Sequence, residues 1–153
     1  MNELVLGVDV GGTTIAAGAV TAAGEVILEQ RVPTRAGGPG RAVETIGALI
    51  DAIRGEVAHL GHALTAIGVG VPGPVDTVAG RIGEPVPHVP ELAGRPLAAE
   101  LAATLALPVF VDNDVNALAL GEWMFGAGRG ARSLVVLASG TGFGAGIVLD
   151  GRL

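Results

Sequence analysis

The sequence predicts an α/β fold, a β-sheet with helices packed on it, and three observations carry that prediction. Short apolar or β-branched runs alternate with stretches of helical periodicity, from strands at one end to strands at the other. The 26 glycines and 9 prolines punctuate those runs and form no tracts of their own. The 153 residues, 50% of them apolar and none of them cysteine, suit about one domain that needs neither disulfides nor a zinc ribbon.

The first three elements are strands. LVLGVD (Leu4 to Asp9), TIAAGAV (Thr14 to Val20) and EVILEQRV (Glu25 to Val32) are separated by Gly-Gly-Thr and Thr-Ala-Ala-Gly, which gives two successive hairpins. Val26, Leu28 and Val32 alternate with Glu25, Glu29 and Arg31, so the third strand has a wetter face and belongs near a sheet edge. After PTRAGGPG, the residues Val43, Ile46, Ile50, Ile53, Val57 and Leu60 recur at steps of three and four, the stripe of a helix that Gly61 can cap.

TAIGVGV (Thr65 to Val71) is a buried-type strand stopped by Pro72-Gly73-Pro74. A second helix follows Pro96 with Leu97, Leu101 and Leu105 in line, and Pro108 restarts an extended segment, PVFVDND. From Val115 to Phe125 the chain is apolar nearly all round, which predicts a buried helix with Trp123 and Met124 in the core, ending before Gly126 and Gly128. SLVVLAS and FGAGIVL pair around Gly140-Thr141-Gly142. Asp150-Gly151 is a two-residue hairpin signal with only Arg152 and Leu153 to build the returning strand, so the chain is expected to stop inside a structural unit and leave an exposed sheet edge. The two ends carry similar units: strand, GGT, strand at the start and strand, GTG, strand at the finish.

Charge narrows the function classes. With 9 basic against 15 acidic residues the net charge is -6, which gives no footprint for nucleic acid or anionic lipid and favours small-molecule chemistry. The uncharged run from Ser133 to Leu149 is interrupted by Gly140, Gly142, Gly144 and Gly146, so it reads as strands and turns instead of a membrane span. Met-Asn-Glu lacks the basic region of a signal peptide, and a cytoplasmic protein is expected.

Three segments can carry chemistry. GVDVGGTT places Asp9 at a strand end, then two glycines and two threonines whose amides and hydroxyls can approach a phosphate, with Asp9 available to magnesium; its bland reading is a type I′ hairpin turn. SGTGFGAG is a second glycine-dense turn, readable also as close strand packing, and two such hairpins facing each other suit a polyphosphate. VDNDVNALALGE puts Asp112, Asn113 and Asp114 where a strand gives way to a helix; any of them suits an N-cap, and a carboxylate there could take a proton from a substrate hydroxyl. No G-x-x-x-x-G-K-[ST] is present, and GVGVPG runs into Pro74 instead of opening a helix, so neither a P-loop nor a Rossmann site is supported.

In order and spacing, GVDVGGTT, GVGVPGPVD, VDNDVNALALGE and SGTGFGAGIVLDG resemble the ROK family of sugar kinases and sugar-responsive repressors, over the whole chain and about the first half of a usual member. The resemblance implies the actin-like, hexokinase-like ATPase fold, a ribonuclease H-like mixed sheet with flanking helices. Residues 1–112 would then form the amino-terminal lobe and 113–153 the start of an incomplete second lobe. The implied reaction is phosphorylation of a hexose such as glucose by ATP with magnesium. Asp114 matches the catalytic base and Asn113 the sugar-binding amide. Gly11, Gly12, Thr13 and Thr14 match the first phosphate motif, Gly140, Thr141, Gly142 and Gly144 the second, and Pro72 and Gly73 the loop lining the sugar pocket.

Thr14 stands where many members carry lysine, and in PHVPELAGRPL His88 replaces the asparagine of a substrate segment whose tryptophan is absent. The family's zinc motif lies downstream of this chain, and His59 and His62 read as solvent-facing residues without a role. The alternative is a sugar-sensing domain of a repressor of the same family, although the eight residues before Asp9 leave no room for a helix-turn-helix; a catalytically dead partner subunit is a third reading. The 153-residue chain alone is expected to lack useful kinase activity and to form homodimers or larger species.

Overall fold

The computed structural model describes residues 3–140 and 142–153. Five strands form a mixed sheet: β1 (Glu3–Val10), β2 (Thr14–Val20), β3 (Val26–Pro33), β4 (Ala63–Val71) and, after a two-residue ribbon of β5 (Val75–Asp76) and β6 (Arg81–Ile82), β7 (Val109–Asn113). The spatial order is β3-β2-β1-β4-β7, antiparallel among the first three and parallel across β1-β4-β7. A separate antiparallel pair, β8 (Leu134–Ser139) and β9 (Phe143–Val148), follows helix α3 (Asp114–Met124).

The core lies on one face of the five-stranded sheet. Leu4, Leu6, Val8 and Val10 alternate along β1 and are buried with Ile15, Ala17 and Ala19 of β2 and Ile67, Val69 and Val71 of β4. Against them pack Ile46, Ile50, Ile53 and Val57 of α1 (Ala42–His59) and Leu97, Leu101 and Leu105 of α2 (Leu97–Leu105), all buried, as their spacing predicts. The stripe of α1 ends one turn early, because Leu60 is the C-cap residue and exposed. Gly61, at φ +79°, donates to the Ala58 carbonyl and His62 to that of Val57, the Schellman closure that only a residue tolerant of positive φ permits cheaply.

Three expectations need correction. β3 is an edge strand, but Leu28 pairs with Ala19 and Val26 with Val20, so Ile27 is an extra residue and Val26 turns to the face opposite Leu28 and Val32. Gly11 and Gly12 do not take positive φ, so the first glycine turn is not a type I′ loop. Helix α3 is not a buried helix: Ala119 is buried, whereas Leu118 and Met124 are exposed and Trp123, whose Nε1 donates to the Ala131 carbonyl at 2.8 Å, is half-buried. One side of α3 packs on β8 and β9, and apolar side chains on its remaining surface have no cover among the described residues.

The final hairpin forms as its dipeptide predicts. Asp150 and Gly151 have φ of 51° and 76°, the signature of a type I′ turn, and Leu149 bridges Arg152 across it. His59 is exposed as read; His62 is half-buried, with Nδ1 enclosed and without a partner among the described residues.

Candidate active site

Strand register builds the site. Residues paired across a sheet project to the same face, and one row runs through all five strands as Arg31, Ala16, Asp9, Gly70 and Asp112. The neighbouring row is Glu29, Gly18, Gly7, Gly68 and Phe110. Both lie on the face opposite the core. The three central strands therefore contribute almost nothing larger than a methyl group, and Asp9 is the exception.

Helix α3 lies over this floor. A Cβ on Gly70 would stand 3.3 Å from the Asp114 Cα, which brings a third carboxylate beside Asp9 and Asp112. At its far end Phe125 lies against the β2–β3 turn, with its ring carbon 2.6 Å from where a Gly24 Cβ would be. Between sheet and helix is a cavity of about 870 Å³, lined by Asp9, Asp112 and Asp114 together with Phe110, Val115 and Leu118.

The three residues at the strand-to-helix boundary divide the work. Asn113 is the N-cap: its Oδ1 accepts from the amides of Val115 at 3.0 Å and Asn116 at 3.2 Å. Its Nδ2 donates to the Gly73 carbonyl at 3.0 Å, tying the Pro72-Gly73 loop to the helix start. Asp112 Oδ1 accepts from the Asn113 amide at 2.6 Å and from Asn116 Nδ2 at 3.2 Å. Asp114 Oδ1 accepts from the Val115 amide at 2.9 Å, and the cap itself does not depend on it. Partial burial holds the Asp9 carboxyl above the usual aspartate range, the Asp114 charge pushes it the same way, and Arg31 opposes both.

The first glycine turn is braced from β3. Gly11 donates to the Thr14 carbonyl at 2.9 Å; buried Thr34 donates its amide to the Thr13 carbonyl at 2.9 Å and its hydroxyl to that of Gly11 at 2.7 Å. Gly12 has a different neighbour, since a Cβ there would stand 2.6 Å from that of His88. Gly73, at φ +93°, leaves no room for a side chain against the Pro85 carbonyl.

In the second turn, whose Thr141 lies outside the described residues, the Gly140 amide donates to the Gly142 carbonyl at 2.9 Å, and among the described residues nothing beyond the chain neighbours stands within 4 Å of a Cβ on either glycine. Gly144 is already part of β9 and lies against Val115, so packing accounts for its missing side chain. Ala138 of β8 lines the same cavity as Asp9.

The structure thus brings Asp9, Asn113, Asp114 and the Pro72-Gly73 loop together, and places His88 on the first turn. The sequence reading offered Asp112 only as one of three residues suited to an N-cap or a proton-accepting carboxylate, and left Arg31 and Thr34 without a role. That Asp112 and Arg31 share a row with Asp9 becomes visible only from register across five strands, and Thr34 carries no local signal. Among the described residues no group of three or more His, Cys, Asp or Glu is arranged to hold a metal ion, and no helix is long and apolar enough to cross a membrane.

Known proteins share this fold. The glucokinase of Streptomyces coelicolor is 38% identical over 152 residues, 98% of this chain and 45% of that protein. The structure of a ROK family glucokinase from Streptomyces griseus in complex with glucose and AMPPNP superposes with a TM-score of 0.80 at 35% identity, covering 97% of this chain and 45% of that one. A ROK family transcriptional regulator, a homologue of the E. coli MLC protein, gives a TM-score of 0.85 at 26% identity over 99% of this chain and 38% of its own. The chain therefore spans about half the length of the kinases it matches and carries the first part of their actin-like ATPase fold. With the ROK family model matching residues 5–153, from the third residue of β1 to the last of the chain, these strands, glycine turns and the carboxylate cluster beneath α3 belong to a member of the ROK family.

Proposed function

We propose that this chain is the amino-terminal part of a cytoplasmic sugar kinase that transfers a phosphoryl group from ATP to a hexose such as glucose, acting as a homodimer or larger assembly. The observation that carries this reading is the division of labour at the helix start. Asn113 caps α3, so Asp114 is free to serve as a general base beside Asp9. In the reaction, Asp114 takes the proton of the attacking sugar hydroxyl. The remaining N–H of Asn113 and the Pro72-Gly73 loop that it holds orient the sugar. The turn of Gly11, Gly12, Thr13 and Thr14, through the amides and hydroxyls not bonded within it, acts with the turn of Gly140, Thr141, Gly142 and Gly144 to hold the ATP phosphates.

Magnesium fits the donor set. Magnesium usually keeps several waters and takes one or two carboxylates plus phosphate oxygens, so Asp9 alone, directly or through water, suffices without a preformed cage. Bound there it would offset phosphate charge, while Asp9 and Asp114, which repel each other, would both gain from a nearby cation. The lobe division, residues 1–112 and 113–153, places the first phosphate turn and sugar loop in one lobe and the second turn in the other.

Asp114→Asn tests the reading in a protein of the relatives' full length that carries these residues. Turnover should fall on the order of a hundred- to ten-thousandfold, with little change in thermal midpoint, because Asn113 keeps the cap, and with much less change in sugar affinity. Turnover surviving within a few-fold would remove Asp114 from the chemistry. The likeness to the ROK transcriptional regulator favours a second reading, a sugar-sensing domain without turnover. It predicts hexose binding with no transfer of labelled phosphate from ATP.

A further inference from the structure

The Gly11–Thr14 turn contains no charged side chain, and the chain has no lysine anywhere. A phosphate held there would meet only amides and hydroxyls, with no positive charge beside it to offset its own. Most arginines are already engaged. Arg31, Arg41, Arg95 and Arg132 pair with carboxylates, and Arg54 and Arg81 donate to the carbonyls of Leu105 and Gly94.

His88 is differently placed. Its Cβ and Cγ lie 2.6 and 3.3 Å from where a Gly12 side chain would begin, so Gly12 is a glycine to admit this histidine and not to reach a positive φ. The segment that carries it is anchored on both sides, Val86 being 3% and Val89 1% exposed, while His88 itself reaches solvent. Two buried valines thus fix an exposed imidazole against the backbone of the first glycine turn. Imidazole can donate from either ring nitrogen and carry a positive charge near neutral pH.

We propose that His88 is a phosphate ligand of the Gly11–Thr14 turn, supplying the cationic contact that the turn's own residues lack. This rests on the reading that the turn takes phosphate, and it moves His88 from the sugar side of the site, where the family resemblance puts it, to the phosphate side. Arg35 is the rival donor, since it follows Thr34, whose amide and hydroxyl brace the same turn.

The 153-residue chain can be titrated with inorganic triphosphate while the amides of Gly11 to Thr14 and the imidazole of His88 are followed by NMR. Amides and imidazole should move together with one dissociation constant. His88→Ala should weaken binding at least about fivefold, His88→Arg should restore it to within about twofold, and Arg35→Ala should change it little. A spacer that merely packs on Gly12 would not be rescued by the longer arginine. Amides that shift while His88→Ala binds as tightly as the parent, or a loss that follows Arg35→Ala instead, overturn the proposal and leave the phosphate turn standing. Shifts in neither the amides nor the imidazole overturn both. Unchanged methyl resonances of Val86 and Val89 establish that the variants keep the segment in place.

Discussion

Asp9 and Asp114 are chemically identical side chains whose positions ask different things of them. Asp9 lies in a cross-strand row between Ala16 and Gly70, where lost solvent and the Asp114 charge raise its folded pKa above the unfolded value. An acid shifted that way stabilises the fold only while protonated, and the contribution disappears as pH rises through the folded value. Asp9→Asn should therefore match the parent in thermal midpoint below the ordinary aspartate pKa of about 3.9 and exceed it at pH 7. In a protein of this size the gain would be about 2–4 °C for each kcal/mol recovered. Thermal melts of both proteins across this range test it, and a variant that melts lower at pH 7 would mean that Arg31 outweighs burial and Asp114. A gain in stability at the residue proposed to face magnesium is what a site kept for chemistry predicts.

At the level of elements, the glycines of the second hairpin separate into two kinds. A Cβ on Gly146 would stand 2.5 Å from both the Ala119 Cβ and the Val115 carbonyl of α3, whereas among the described residues nothing beyond its chain neighbours lies within 4 Å of one on Gly142. Gly146→Ala must push β9 off the helix and should lower stability by about 1–3 kcal/mol; Gly142→Ala should leave it near the parent value. Paired denaturant curves decide, and equal midpoints would mean that the helix–strand contact yields freely. Such contacts are what the sequence withholds. The stripes of α1 and α2 were legible because each packs one face on one sheet, and the Asp150-Gly151 turn because it is local. Helix α3 was misjudged because an apolar pattern all round does not say which sides find partners. The bulge at Ile27, the two-residue strands β5 and β6 and the contact of His88 with Gly12 depend on pairing between segments and leave no periodic trace. The carboxylate site was half legible: its residues come from recognisable motifs, but that Asn113 and not Asp114 caps the helix required the hydrogen bonds.

The whole molecule carries an unbalanced surface. One face of the β8–β9 pair packs on α3; the other presents Val135 beside Ile147, with Leu137, Phe143 and Leu149 on the same side, and Phe143 is 75% exposed. A contiguous apolar face of this kind marks an interaction surface, and no third strand joins the pair among the described residues, so its edges stay open to pairing as well. The 153-residue chain should therefore self-associate through this hairpin. Light scattering at high concentration should report dimers or larger species, and a Leu137→Lys, Ile147→Lys double variant should be monomeric, because two cations cannot be buried against a second copy without partners. Both substitutions lie on the face away from α3, so the fold and the cavity beneath the helix should survive. A monomeric parent would mean that the exposed face is tolerated in water, whereas a double variant that still associates would move the interface to the open side of α3, where Leu118 and Met124 are the exposed apolar residues.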